Sequence, residues 1–231
     1  MEYINKRNTE PADWNSWFTV PPSRRTYDYG ADYSSLPNLS CVKQFLIDEQ
    51  HSLCAYCQQK VTVKDASIEH VIPKEHNKEL STNYYNLVAV CKKQQVPDSM
   101  TRKLHCDSPR GSELIPTIIF YRNAKSTSQS TNKYFEARSN GEIVPKQNLE
   151  SSTFHQVESF INTLNLNHSN LVYKRAKDTL RGIIEAYNFL PNGSHQKAIF
   201  WRMKYQNVLN NPNQEFREFL LIFLGKRCGL N

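Results

Sequence analysis

Hydrophobic residues recur at helical spacing in two parts of the chain. The first is predicted to be a helix over about residues 40–53, in which Val42, Phe45 and Leu46 share one face. The second is the chain after residue 150, so the last third is predicted to be helical. The helices expected there carry the apolar stripes Phe154–Leu164 and Val172–Tyr187 and then cover about residues 196–209 and 213–224.

Extended segments are predicted in the middle of the chain. Residues 60–72 are expected to form a hairpin with Val61–Val63 and Ile68–Ile72 as its strands. Pro73 ends the second strand, because proline cannot donate a ladder hydrogen bond. Asn86–Val90 is expected either to begin a helix or to be a short apolar segment.

Two more extended elements precede the helical part. A buried strand is predicted over residues 115–121, and Asn140-Gly141 predicts a hairpin turn because both residues tolerate positive φ. The polar run 126–132 marks a domain boundary. We therefore expect an α+β protein. It is divided into an irregular N-terminal arm over residues 1–40, a core over residues 41–125 and a C-terminal region over residues 126–231. The C-terminal region combines a β-hairpin with helices and is suited to partner docking.

The chain is basic. Lysine and arginine outnumber aspartate and glutamate by 29 to 22, which gives a net charge of +7. This balance favours anionic partners, nucleic acid first. The apolar run Phe219–Leu224 is too short to cross a bilayer, and the polar N-terminus has no signal-peptide core. We therefore expect a cytoplasmic protein that does not contact a membrane.

Four of the six cysteines lie close together in the sequence, and their pattern suggests a metal site. Cys54 and Cys57 form a Cys-x-x-Cys knuckle, which supplies two ligands of a tetrahedral zinc ion from one turn. Cys91 and Cys106 are the expected second pair, and His105 is the alternative to Cys106 as fourth ligand. The other interpretations are four unconnected buried cysteines, or a redox pair at Cys54 and Cys57.

Glu69 and His70 offer the chemistry of phosphodiester cleavage on one predicted strand. That reaction needs an activated water and a cation that neutralises charge on the phosphate. A histidine can take the proton from water, and a carboxylate can hold Mg²⁺. Neighbouring strand residues point to opposite faces, so a bend before Pro73 would be needed to bring both to one site. The Asn86 amide could brace the hairpin by hydrogen bonding across the loop.

The order of these residues resembles the HNH endonucleases, which have a ββα-metal core that a structural zinc ion often braces. It reads Cys-x-x-Cys, Ile-Glu-His-x-x-Pro, Asn-Leu, Cys and His-Cys-Asp between residues 54 and 107. The resemblance is to the PtuB-like subfamily over roughly residues 40–180. It is carried by Lys43–Cys57, Ile68–Lys74, Tyr85–Leu87, His105–Gly111, Gly141–Ile143 and Leu164–Arg175.

The resemblance implies a metal-dependent endonuclease with a structural Zn²⁺ and a catalytic Mg²⁺ or Mn²⁺. His70 would be the general base, Glu69 a ligand of the catalytic ion, and Asn86 the middle, bracing residue. The third HNH position would be His105 or Asp107, with His105 ranked slightly ahead.

Two basic residues, Lys74 and Arg110, would contact the scissile phosphate by the same resemblance. The family also implies the effector nuclease of a bacterial antiphage defence complex of the Septu or retron-associated type. Its partners would be a PtuA-like ATPase and, in a retron, a reverse transcriptase with its nucleic-acid product. The competing hypothesis is a zinc-braced module that binds nucleic acid without cleaving it. These residues do not distinguish DNA from RNA.

Overall fold

The first helix, α1, runs over Leu39–Glu49 and is shorter than predicted. It ends because His51 and Ser52 adopt positive φ values of 56° and 61°, which a right-handed helix does not contain. The chain then turns into the cysteine knuckle, whose two ends meet in a bridge between Leu53 and Lys60. The computed structural model describes residues 39–92, 105–116 and 133–230, together with Ile4, Lys6, Arg7 and Pro11.

The central sheet has two antiparallel strands, β1 at Ala66–His70 and β2 at Leu87–Cys91. The hairpin predicted over residues 60–72 is wrong in its pairing, because Val61–Val63 forms no strand. The partner of β1 is instead the apolar segment expected near Asn86. Four consecutive β2 residues are buried, and such a run can be a strand covered on both faces.

A short helix completes the central unit. The connection between β1 and β2 contains two 3₁₀ helices, Lys78–Thr82 and Tyr84–Asn86. Beyond β2, helix α2 covers Asp107–Arg110. Small strands and helices are thus mixed, in agreement with the predicted α+β class. Residues 117–132 lie outside the described part of the chain. They contain most of the strand predicted over residues 115–121 and the whole boundary predicted over residues 126–132.

The second predicted hairpin is confirmed. Strand β3, Phe135–Ala137, pairs antiparallel with β4, Ile143–Pro145. Gly141 in the turn has a φ of +94°, and a Cβ atom there would lie 2.2 Å from the Val172 carbonyl oxygen. The turn therefore packs directly against helical backbone, and only glycine fits.

The predicted helical C-terminal region is also confirmed. The last helix starts at Arg217 rather than near residue 213, because Phe216 adopts a left-handed conformation with φ 54°. The elements are α3 at Ser151–Thr163, α4 at Ser169–Tyr173, a π-helical segment at Lys174–Leu180, α5 at Arg181–Asn188, α6 at His195–Leu209 and α7 at Arg217–Cys228.

One cluster of buried residues runs through both parts of the described chain. It joins Leu46 of α1, Ala66 of β1, Val88 of β2 and Phe160 of α3 to Phe223 of α7. The helical region therefore packs on the central unit. Among the described residues, no helix combines the length and the apolar character needed to cross a membrane.

Candidate functional site

Four cysteine sulfurs converge in the central unit. The Sγ atoms of Cys54, Cys57, Cys91 and Cys106 all lie within 4.8 Å of one another, and the pairs Cys54–Cys106 and Cys57–Cys91 are 3.9 Å apart. Four sulfurs around zinc, each at roughly 2.3 Å, are separated by about 3.8 Å, whereas disulfide sulfurs lie about 2.05 Å apart. The cluster could therefore hold a metal ion, and its spacing fits zinc.

Three parts of the fold bring these sulfurs together. The knuckle closes through a backbone hydrogen bond from Gln58 to the Cys54 carbonyl, 3.0 Å long. Cys91 ends β2, and its N–H donates to the Cys54 sulfur at 3.3 Å. The Cys106 N–H donates to the Leu164 carbonyl at 2.8 Å. The cluster is thus anchored to the segment after α3 as well as to the sheet.

Protonation of the sulfurs would oppose metal binding. Burial, together with hydrogen bonds to the neighbouring sulfurs, raises the pKa of Cys106 well above its usual range. A divalent ion removes this obstacle by binding the thiolate form, so that protons are released on metal uptake.

His105 lies against the same cluster. Its Nδ1 is 3.2 Å from the Cys106 sulfur and 3.8 Å from the Cys91 sulfur, and its ring centroid is 5.7 Å from that of His168. Because the Cys106 sulfur belongs to the converging set of four, the geometry favours Cys106 over His105 as fourth ligand. These contacts place His105 beside the sulfurs and do not link it to Glu69 or His70.

His70, at the end of β1, is buried, and its ring is held in one orientation. Its Nε2 lies 2.9 Å from the Ser81 carbonyl oxygen. A carbonyl only accepts hydrogen bonds, so Nε2 carries the hydrogen and the neutral ring has its lone pair on Nδ1. Burial, with smaller contributions from Lys74 and Arg110, lowers the pKa of His70 to about 4. The ring is therefore neutral at pH 7 and able to accept a proton.

Asn86 connects the two ends of the loop that carries Ser81. Its Oδ1 accepts from the Ile72 N–H at 2.8 Å, and its Nδ2 donates to the carbonyls of Ile72 and Leu80 at 2.9 and 3.1 Å. A buried amide with three partners is a strong local constraint. It fixes the loop on which the orientation of His70 depends.

Glu69 belongs to a different set of contacts. Its carboxylate is paired with the Arg110 guanidinium and lies 3.4 Å from the Tyr56 hydroxyl, which can donate to it. Arg110 also donates to the Tyr56 hydroxyl at 2.8 Å and to the carbonyls of His70, Val71 and Glu113 at 3.0, 2.7 and 2.9 Å. The guanidinium therefore joins α2 to the end of β1.

The chain bends at residues 71–72, just before Pro73 as predicted, but this bend lies beyond the end of β1. The strand stays regular through His70, so successive side chains alternate between its two faces. Glu69 contacts Tyr56 and Arg110, whereas the His70 ring contacts the loop at Ser81.

Comparison with known proteins bears on this arrangement. Residues 54–93 match the family model described as HNH endonuclease. A protein of Vibrio cholerae serotype O1 biovar El Tor, named "Retron Vc95 putative HNH endonuclease", is 26% identical over 147 residues. The alignment covers 61% of this chain, and the chain spans 66% of the length of that relative.

The chain carries an HNH endonuclease domain. This is a nuclease domain, the domain of a class of phosphodiester hydrolases. The matched residues include Glu69, His70, Asn86 and three of the four cysteines of the cluster.

Arg110 differs from the sequence-based expectations, and Tyr56 extends them. Arg110 does not fit the predicted phosphate contact, because its side chain is fully buried and its donors bind protein acceptors. Tyr56 was not singled out from the sequence. A tyrosine inside the knuckle offered a signal, since a buried hydroxyl needs a partner.

The remaining predicted residues lie near this core. Lys74 follows β1, is half-buried and contributes to the lowered pKa of His70. Asp107 begins α2 directly after Cys106, and its side chain lies outside the described part of the structure. The locations of His105 and Asp107 do not decide which of them fills the third HNH position.

Proposed function

We propose that this chain hydrolyses phosphodiester bonds of nucleic acid and that His70 is the general base. The observation that carries the proposal is the Ser81 carbonyl at 2.9 Å from Nε2 of His70 within the HNH domain. This contact sets the tautomer in which Nδ1 takes the proton of an attacking water. Asn86 supports the proposal because it holds the loop that presents Ser81.

Two kinds of metal ion belong to the proposal. Zn²⁺ would be held by Cys54, Cys57, Cys91 and Cys106 as a structural ion. By the resemblance, Glu69 and either His105 or Asp107 would hold the catalytic Mg²⁺ or Mn²⁺, which would neutralise charge on the phosphate. Because Glu69 and the His70 ring lie on opposite faces of β1, this ion and His70 can act on one phosphate only if the end of the strand rearranges. Arg110 is paired with the Glu69 carboxylate, so an ion held by Glu69 would have to compete with the guanidinium.

We also propose that the chain is the effector nuclease of an antiphage defence complex of the PtuB-like type. The sequence resemblance over roughly residues 40–180 supports this, and so does the retron relative by its name. The partners proposed on this basis are a PtuA-like ATPase and a retron reverse transcriptase with its nucleic-acid product.

The decisive experiment is cleavage by the purified chain, alone and with the products of neighbouring genes. Plasmid DNA, single-stranded DNA and total RNA are each incubated with Mg²⁺ or Mn²⁺. We expect His70→Ala to lose cleavage by roughly 10²-fold or more, as for removal of a general base. His155→Ala is the matched control, because His155 is exposed on α3.

Folding of both variants is checked by circular dichroism and zinc content. Cleavage by folded His70→Ala at the rate of His155→Ala would remove His70 from the mechanism. Tight binding of nucleic acid without scission, for every substrate and with the partners present, would favour the non-catalytic binding module instead.

A further inference from the structure

Arg175 is a buried cation near the cysteine cluster. Only 4% of its surface is exposed, and it lies in the π-helical segment. Its guanidinium donates to the Leu171 carbonyl at 3.2 Å and to the Leu166 carbonyl, and lies 5.4 Å from the centre of the Phe219 ring. Among the described residues, no carboxylate lies within ion-pair distance of it.

The cysteine cluster lies close to this cation. Cys57 and Arg175 line the same small cavity of about 20 Å³. Burial lowers the pKa of Arg175 to about 10, and the opposing effects come first from Cys57 and Cys106 and then from Glu142. Glu142 is partly exposed and already pairs with Arg138 at 3.3 Å. Thiolates in the cysteine cluster would therefore be anionic partners of Arg175.

Charge balance explains why the cluster needs a cation. Four thiolates around a divalent ion carry a net charge of about −2, and burying uncompensated charge is costly. The N–H of Cys91 offsets part of it through its hydrogen bond to the Cys54 sulfur. A hydrogen bond supplies only a partial charge, whereas a guanidinium supplies a full one.

The fold holds Arg175 and the cluster in a fixed relation. Two backbone carbonyls of the short segment after α3 accept hydrogen bonds from the two groups. The Leu164 carbonyl accepts from the Cys106 N–H, and the Leu166 carbonyl accepts from the Arg175 guanidinium. Gly141 packs against the backbone of Val172 and so fixes the start of the π-helical segment. Arg175 is thus placed by the C-terminal region, not by the HNH domain itself.

We propose that Arg175 is the buried counter-charge of a zinc tetrathiolate at Cys54, Cys57, Cys91 and Cys106, and that it raises zinc affinity. The inference does not depend on nuclease activity. It makes the metal site of the HNH domain dependent on the C-terminal helices.

The test is zinc retention by the full-length, zinc-loaded protein against a chromogenic chelator. Arg175→Met removes the charge at similar volume, and we expect zinc affinity to fall by roughly 10- to 100-fold, as for other residues around a metal site. Arg175→Lys keeps the charge and should lose less. Arg181→Met is the control, because Arg181 is exposed and pairs with Glu185 at 2.8 Å.

Each outcome of this experiment either supports or refutes the proposal. Wild-type zinc retention by folded Arg175→Met would refute the proposal, and so would equal losses in Arg175→Lys and Arg175→Met, which would indicate lost packing. If Arg175→Met fails to fold, Arg175→Gln takes its place, because it also removes the charge while its amide can still donate to a carbonyl. Lower zinc affinity in Arg175→Gln than in Arg175→Lys supports the proposal, and equal affinity overturns it.

Discussion

Replacing Asn86 by alanine should destabilise the protein by about 3 kcal/mol. The side chain is 3% exposed, and its amide satisfies one N–H and two carbonyl groups of Ile72 and Leu80. A buried polar group that loses its partner costs roughly 1–3 kcal/mol. We use the lower figure for each of the three groups, because Ile72 and Leu80 are only half-buried and water can partly replace the amide.

The assay is urea denaturation followed by circular dichroism, with equal zinc in all samples. Asn77→Ala is the matched control: Asn77 is exposed in the same loop, and its side chain accepts one local hydrogen bond from Glu79 at 3.1 Å. Its loss should cost about 1 kcal/mol or less. Asn86→Asp keeps the acceptor for Ile72 but places a carboxylate oxygen against the carbonyl oxygens of Ile72 and Leu80. Its stability at neutral pH should therefore fall at least as far as that of Asn86→Ala.

The result that would refute this reasoning is an Asn86→Ala protein as stable as Asn77→Ala. The loop would then be held by other contacts, and Asn86 would not position the Ser81 carbonyl. A second readout is the cleavage rate at a temperature where both variants are folded. Asn86→Ala should cleave more slowly than Asn77→Ala, because the His70 ring loses its fixed partner.

Two further predictions concern His70 and Arg110. The pKa of His70 is lowered from its ordinary 6.5 to about 4, so the unfolded chain binds the proton first as the pH falls. Wild type should therefore lose about 2 kcal/mol more stability between pH 7.5 and pH 5 than His70→Asn does. Equal losses in urea denaturation would contradict this. Arg110→Met removes one partner of a buried ion pair with Glu69, so thermal unfolding should show a loss of about 3–5 kcal/mol. Glu69→Gln in the same background should recover part of this loss. If Arg110→Met leaves the stability unchanged, the pair is not structural.

The sequence predicted the elements whose signals are local. A Cys-x-x-Cys knuckle, an Asn-Gly turn and long apolar stripes are each contained in a few residues. The pairing of β1 was missed because its partner begins seventeen residues further along the chain, at Leu87. The nearer Val61–Val63 segment looked equally extended, and local pattern does not measure tertiary burial.

The contacts of the candidate site were harder to predict than its members. Glu69 and His70 are adjacent in sequence, but the regular strand separates their side chains. Arg110 was expected to contact the scissile phosphate because of the family resemblance. Its burial depends on the carbonyls of His70 and Val71, which no pattern around residue 110 reveals. The burial of Arg175 against the carbonyls of Leu166 and Leu171 was unpredictable for the same reason.

The C-terminal region cannot be treated as a separate docking appendage. Deleting residues 150–231 would remove Leu164 and Arg175, and also Phe216 and Glu218, whose N–H groups bind Gln58 in the knuckle at 3.0 and 2.9 Å. Loss of an ATPase partner after that deletion would therefore report damage to the cysteine cluster. A docking role is better tested at exposed apolar side chains, because their substitution leaves these bonds intact. Phe189, 87% exposed after α5, and Met203, 54% exposed on α6, meet that requirement.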